Sequence, residues 1–303
     1  MSESPVGAAK GLLFFTDGTL AYAGHSVHED DHPVHTHSFV EIAVAVGGEG
    51  VHHSLGGRRR LRAGDVILLR PGVWHGYEEC RRLDVYNCCF STRLLHHELA
   101  WTREDPLLGY LLWTGPYSLE RRGMLTAHLG DAAFGQCLEH LDALDELRGQ
   151  PVGRHRGDVI GRLSLFLGHL ARAAAEARGE PVEANGPIHP AVVAAMRLLE
   201  SSLAHPWSLP ELADRLHLAP GYLVRLFKAA VGLPPMAYLA QQRAETAAGL
   251  LLDTNRSVSE IGQSVGWSDQ NYFARRFKAH FGLSATTYRL RFTHDAAALH
   301  RWS

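Results

Sequence analysis

Residues 257–288 read SVSEIGQSVGWSDQNYFARRFKAHFGLSATTY, and the rest of the chain is best read outward from this stretch. Ser257 followed three places later by Glu260 is the pattern of a capping box, in which the serine oxygen takes an orphan helix amide and the glutamate reaches back to the serine amide. Ile261, Gly262 and Val265 supply the apolar stripe of a short helix, and Ser268 or Asp269 can cap a second helix over 269–281 that stops at Gly282. Fifty positions earlier the same outline recurs: Tyr222, Arg225, Phe227, Lys228, Gly232, Leu233 and Tyr238 match Tyr272, Arg275, Phe277, Lys278, Gly282, Leu283 and Tyr288. The earlier copy has its own Ser208 and Glu211, then Leu212, Ala213 and Leu216. Pro220 follows at the first position of a helix over 220–231, where its missing amide costs nothing. Short helix, turn, and second helix with an outward arginine is the outline of a helix-turn-helix reader of DNA, here present twice, at about 208–231 and 257–281.

Helical periodicity sorts the faces of the two second helices. Leu223, Leu226 and Phe227 in one copy and Phe273, Arg276 and Phe277 in the other fall inward, Arg276 being the polar exception. Gly221, Val224, Arg225 and Lys228 fall outward in the first, and Gln270, Asn271, Ala274, Arg275 and Lys278 in the second. Arginine suits a bidentate contact with guanine and Gln or Asn with adenine, so the second helix carries the richer base-reading chemistry. Lys228 and Lys278, toward the helix ends, suit phosphate contact or plain solvation. Between the copies, Pro235 to Leu252 reads as one helix through Met236, Leu239, Ala240, Ala244, Ala247 and Leu251. A separation near ~34 Å, one turn of DNA, would let both readers enter successive major grooves on one face.

Charge divides along the same line. Residues 188–303 hold 12 Lys+Arg against 8 Asp+Glu, leaving 18 against 24 for residues 1–187, so a cationic C-terminal part follows an anionic N-terminal one. The stretch Gly179 to Pro187, with two prolines and two glycines, reads as a linker between a domain over 1–178 and one over 188–303. Four cysteines, Cys80, Cys88, Cys89 and Cys137, show neither a Cys-x-x-Cys pair nor regular spacing, which argues against a disulfide framework or a thiolate zinc site. With no charged n-region before an apolar run and no 18-residue apolar stretch, a cytoplasmic chain without a membrane partner is expected.

The C-terminal third resembles the AraC/XylS family of transcription regulators. The likeness runs from about Ile188 to Phe292 and is strongest in Gly266-Trp267-Ser268-Asp269-Gln270-Asn271-Tyr272-Phe273 and Phe277-Lys278-Ala279-His280-Phe281-Gly282. Ala219 departs from it, standing where the family often has a capping Ser, and so does Val224, where a polar residue is more usual. The resemblance implies promoter DNA and RNA polymerase as partners, activation rather than pure repression, a homodimer, and a small-molecule effector.

Residues 11–90 alternate β-rich runs such as Val40-Glu41-Ile42-Ala43-Val44-Ala45-Val46 and Asp65-Val66-Ile67-Leu68-Leu69 with Gly-containing turns, the spacing of an antiparallel sandwich or barrel. Helical periods follow at 131–148, through Phe134, Cys137, Leu138, Leu141 and Leu144, and at 157–178, through Val159, Leu163, Phe166, Leu167 and Leu170. These two helices can close the barrel, pair with a second chain, or do both. The expected architecture is therefore two-domain α+β: a β-barrel with following helices, then an all-α part with two helix-turn-helix motifs.

Eight of the twenty histidines lie between His25 and His75. His35 and His37, two apart, point to one side of a strand; Glu41 keeps that parity, and His75 can join from another strand. This arrangement resembles the cupin fold, whose metal-binding members place His-x-His, Glu and a later His in this way, although many sugar-sensing AraC relatives use a cupin-like sensor without metal. Three readings stay open: a metal site at His35, His37, Glu41 and His75; an organic-ligand pocket using the same groups as hydrogen-bond partners; and structural histidines. Carried over from the arabinose-binding type of sensor, the pocket would include His75 and Tyr77 after Pro71-Gly72, with Trp74 close by, a mix of polar groups and aromatic surface that suits a sugar. The leading expectation is a non-enzymatic regulator, without cofactor, controlled by a sugar-like effector. Its rival is a metal-dependent cupin oxygenase or isomerase, or a metal sensor, fused to a DNA-binding part.

Overall fold

The structure is a computed structural model that describes residues 6–9, 12–15, 21–117, 121–148, 150, 152–176 and 188–294. The expected linker over 179–187 lies outside the described residues.

Nine strands form the N-terminal part: β1 (Val6–Ala9), β2 (Leu12–Phe15), β3 (Ala21–His28), β4 (His32–His37), β5 (Val40–Ser54), β6 (Gly57–Leu61), β7 (Asp65–Leu69), β8 (His75–Phe90) and β9 (Met124–His128). Their order is β1-β2-β4-β8-β5-β7-β9, with β3 added on β8 and β6 on β5. All pairs are antiparallel except β2 on β4. The long strands β5 and β8 pair along most of their length, with register shifts at Gly47 and Glu49 that bend the sheet into a barrel-like wrap. Strand alternation then builds two cores. Ile42, Val44, Val66, Leu68, Tyr86 and Cys88 face the helices, while Ala43, Ala45, Ile67, Leu69, Leu83 and Val85 face the interior. Cys80, Cys88, Cys89 and Cys137 are buried free thiols.

Two short helices, α1 (Thr92–His96) and α2 (Pro106–Gly109), lead through a π turn at Tyr110–Thr114 to β9; then come α3 (Asp131–Glu146) and α4 (Val152–Glu176). As the periods predict, α3 buries Cys137, Leu141 and Leu144 and α4 buries Leu163, Phe166, Leu167 and Leu170, all in the core beneath the sheet.

The C-terminal part is all helical: α5 (Pro190–Ser201), α6 (Leu209–Arg215), α7 (Pro220–Val231), α8 (Pro235–Asp253), α9 (Val258–Ser264), α10 (Gln270–Phe281) and α11 (Ala285–His294). The duplication is visible in detail. Gly232 and Gly282 end α7 and α10 in left-handed conformations, with φ of 78° and 74°, a geometry that favours glycine. Phe227 stacks edge-on against Tyr238, and Phe277 likewise against Tyr288. One expectation needs correcting. Ser257 and Glu260 form the full reciprocal box, but at Ser208 only the serine half forms, because Glu211 turns instead to His205 and Arg215. No single helix among the described residues is long and apolar enough to cross a membrane.

Candidate nucleic-acid interface and ligand pocket

The two second helices are α7 and α10, with limits matching the expected 220–231 and, within one residue, 269–281. Each drives a pair of apolar side chains inward, Leu223 and Phe227 in α7 and Phe273 and Phe277 in α10, all at most 1% exposed. The opposite faces are open: Gly221, Arg225 and Lys228 on α7, and Gln270, Asn271, Ala274, Arg275 and Lys278 on α10. Val224 and Arg276 are half-buried. Arg225 sits over the Tyr222 ring and Arg275 over the Tyr272 ring, each guanidinium 5.9 Å from its centroid, so both copies steady their arginine in the same way. Asp269 takes the capping role at α10, accepting from the amides of Asn271 at 2.8 Å and Tyr272 at 3.0 Å. At α7, Ala219 supplies no side-chain cap. Gln270 donates to Ser259 on α9, which ties the two helices of that unit together.

Inside the barrel, strand register delivers the histidines. His35 pairs across β4–β8 with His75, and His52 of β5 lies opposite Tyr77 of β8. The rings of His35 and His75 are 4.3 Å apart and those of His37 and His75 are 5.4 Å apart. Glu41 lies on the next strand rather than continuing β4, since the chain turns at Ser38 and Phe39. It still reaches the cluster, 3.6 Å from His37 and 3.8 Å from His75. Ligand nitrogens and oxygens of His35, Glu41 and His75 all fall within 4.8 Å of one another. His28, His32 and His52 join the cluster, none of them an expected site residue; His52 has the opposite sequence parity to Glu41 and Ala43, and only the register shifts inside β5 bring it to the same side.

Burial sets the chemistry of this interior. It pushes the Glu41 carboxyl up to about 8, and lowers His35 to about 4 and His37 and His52 to about 3. At neutral pH the acid is protonated and the imidazoles are neutral, so the short Glu41–His approaches are contacts between uncharged groups rather than ion pairs. His37 Nε2, His52 Nε2, both nitrogens of His75 and the Tyr77 hydroxyl are buried without a hydrogen-bond partner among the described residues. Orphaned polar atoms converging on one interior are costly unless something satisfies them, which marks this interior as a candidate ligand site.

Trp74 is not part of that interior. Its indole N–H donates to the Phe281 carbonyl at 2.9 Å and its ring packs in the core of the second reader, so the expected aromatic wall of the pocket belongs instead to the seam between the two parts. Strand alternation explains this, since Trp74 must face opposite to His75. The seam was not foreseen at all. Arg70, 1% exposed, crosses to Glu245 on α8 at 3.3 Å, and the Tyr117 hydroxyl donates to the same carboxylate at 2.6 Å. Arg103 crosses to Glu200 on α5, which also accepts from Tyr238 at 2.6 Å. A cleft of about 670 Å³ runs beside these ion pairs, lined by His37, Pro71, Gly72, Arg103, Glu200 and Glu245 among others.

Duplicated DNA readers fused to a ligand-binding barrel define a small-molecule-responsive, DNA-binding transcription regulator. Comparison with known proteins agrees. The AraC-like ligand binding domain model matches residues 19–146, and the helix-turn-helix domain model matches residues 212–291. The chain is 25% identical over 281 residues to the HTH-type transcriptional activator RhaR of Pectobacterium carotovorum subsp. carotovorum (strain PC1), covering 92% of this chain and 93% of that one. It is 26% identical over 266 residues to RhaR of Yersinia pestis bv. Antiqua (strain Angola), covering 85% and 84%. ToxT from Vibrio cholerae shares the fold, with 11% identity, a TM-score of 0.50, and coverage of 91% of this chain and 100% of that one. The chain belongs to the AraC/XylS family.

Proposed function

We propose that this regulator binds a neutral, sugar-like effector inside the barrel and, as a homodimer joined through α3 and α4, activates transcription in the cytoplasm by presenting α7 and α10 to promoter half-sites beside RNA polymerase. The division into a sensor over 1–178, a linker over 179–187 and a reader over 188–303 is part of this reading. Arg225, Arg275, Gln270 and Asn271 read base edges, and Lys228 and Lys278 hold phosphate, with Gly221 and Val224 lying against the groove. The effector rests on His35, His37, Glu41, His75 and Tyr77.

The observation that carries the effector class is the set of buried polar atoms without partners among the described residues, His37 Nε2, His52 Nε2, both His75 nitrogens and the Tyr77 hydroxyl, in surroundings whose burial disfavours charge on Glu41 and the imidazoles. The Glu41 carboxyl when protonated, His75 and the Tyr77 phenol each offer a donor and an acceptor, while His35 and His37, whose Nδ1–H groups donate to the Pro33 and Phe39 carbonyls at 3.1 and 2.8 Å, offer an acceptor at Nε2; a sugar hydroxyl can answer either role. One geometric fact favours a second reading: His35, Glu41 and His75 lie close enough to hold a divalent transition metal, which would require Glu41 to ionise. A thermal-shift screen of metal-stripped protein separates the two, because a ligand bound only by the folded chain raises its melting temperature. Stabilisation by an aldopentose or aldohexose, abolished in His75→Leu, supports the sugar; stabilisation by Co2+ or Zn2+ alone replaces it with the metal. For the DNA assignment, Arg275→Ala should lower specific affinity about tenfold to a hundredfold in a mobility shift, and unchanged specific affinity would remove α10 from the groove.

A further inference from the structure

Thr36 and Tyr288 stand outside both sites described above, yet they lie where the two meet. On β4, His35 and His37 face the barrel cluster, and Thr36 between them faces out, its hydroxyl 3.2 Å from the Tyr288 hydroxyl on α11. On the paired strand, His75 faces in while Trp74 faces out to the Phe281 carbonyl, the last of α10. Two residues earlier the Gly72 carbonyl accepts the Tyr288 hydroxyl at 2.7 Å. Gly72 has φ +82°, and a Cβ there would stand 2.9 Å from Ala248 on α8 and 3.2 Å from Phe281, so only glycine lets this loop approach so closely. The effector-facing side chains and the reader-facing side chains are thus neighbours along the same two strand segments, one peptide unit apart. Tyr238, the duplicate of Tyr288, is wired differently: its hydroxyl goes to Glu200 and on to Arg103, and no barrel strand takes part.

We propose that Thr36 and Tyr288 are positioning residues that carry barrel occupancy to the second reader, while the first reader does not receive it. This inference rests on the effector reading above. A ligand that draws His35, His37 and His75 together rolls β4 and the start of β8, and the same roll moves Thr36 and the Gly72 carbonyl relative to Tyr288. Ligand binding then biases the placement of α10 through a differential contact, as linkage requires.

The test uses the full chain, a DNA fragment carrying both half-sites, and as probe whichever aldopentose or aldohexose stabilises the protein. In wild type the sugar should change DNA affinity at least about fivefold, within the usual range of such couplings. Tyr288→Phe keeps the packed ring and removes only the hydroxyl. It should retain sugar affinity and sugar-free DNA affinity within about threefold but lose the sugar-induced change, and the footprint should stop responding at the α10 half-site alone. Thr36→Val, nearly isosteric, should show part of the same loss and guards against a folding defect in Tyr288→Phe. Undiminished coupling in both variants overturns the inference while leaving the effector reading intact. A wild-type protein that binds no sugar, or whose DNA affinity no sugar changes, overturns the effector reading and this inference with it.

Discussion

Replacing Glu245 with Met should cost far more stability than its single long contact with Arg70 would indicate. Arg70 is 1% exposed, lies 5.3 Å from the centre of the Tyr117 ring, and besides Glu245 donates, among the described residues, to the Leu112 carbonyl at 3.5 Å. Burial alone would lower its pKa, but Tyr117 and Glu245 outweigh that and hold it above the ordinary guanidinium value, so the charge stays in place. Glu245→Met leaves that charge without a counterion, at a cost of about 3–5 kcal/mol. It also strands the Tyr117 hydroxyl, which now donates at 2.6 Å, for about 1–3 kcal/mol more. Removing the second charge reverses most of the first loss, because a buried pair replaced by apolar side chains of similar volume is often close to neutral. Arg70→Met introduced into Glu245→Met should therefore raise stability by about 2 kcal/mol or more, although Arg70→Met alone lowers it. Urea unfolding followed by both tryptophan fluorescence and circular dichroism measures the four corners of the cycle. A loss below about 1 kcal/mol for Glu245→Met, or further destabilisation on adding Arg70→Met, would refute the buried-pair account of the seam.

Three further outcomes follow from particular residues. Ala219→Ser, which gives α7 the side-chain cap that α10 draws from Asp269, should stabilise the chain by about 0.5–1 kcal/mol in the same urea assay. Lys278→Ala should weaken binding evenly across DNA sequences and flatten the slope of log affinity against log salt by about 0.9, whereas a steepened sequence preference would make Lys278 a base reader. In metal-stripped protein, His28, His32, His35, His37 and His52 have folded values from about 2 to about 4 against an unfolded 6.5. Above pH 6.5 both states are neutral. As pH falls below it, only the unfolded chain takes up protons, each group withdrawing about 1.4 kcal/mol per pH unit. Glu41 and Asp253, whose carboxyls burial raises, act in the opposite direction but are outnumbered by the imidazoles, so urea midpoints should drop between pH 6.5 and 5; a flat profile to pH 5 would mean the imidazoles are not held neutral.

The reading modules were legible in the sequence because each of their signals is local. A serine cap, a proline at a helix start, a glycine in left-handed conformation and a 3.6-residue apolar stripe act within about one turn of chain, and α7, α8 and α10 match their expected limits within a residue or two. The half-formed box at Ser208 failed because His205 and Arg215, both nearby, competed for Glu211, and spacing alone does not rank competitors. The barrel histidines were legible only as far as strand parity reaches: His35, His37 and His75 came together, while His52 depended on bulges that reset parity inside β5. Trp74 lies in the seam rather than the pocket because strand alternation turns it away from its neighbour His75. Arg70–Glu245 and Arg103–Glu200 were invisible because partners so far apart in sequence carry no periodicity that joins them.

The two readers are also fastened to the barrel in unlike ways, and this bears on which one an effector can move. Leu111, Leu112, Trp113 and Tyr117 share one continuous core with Leu223, Phe227, Val231 and Leu233, so the first reader is joined to the sensor by apolar burial, which is large, non-directional and insensitive to small shifts. Among buried residues the second reader's core takes only Trp74 from the sensor, with Val34 and Leu55 at its margin. Among the described residues its hydrogen bonds to the sensor are those of Tyr288 and Trp74, each worth about 1 kcal/mol net and lost within a fraction of an ångström, beside the Arg291 guanidinium 5.7 Å from the centre of the Trp74 ring. A seam held by so few directional bonds costs little to open, and a ligand then needs only a small differential affinity to bias it. On the reading proposed above, α10 carries the richer base-reading chemistry and sits on that lightly held side, so an effector in the barrel would act on the reader with the most to recognise.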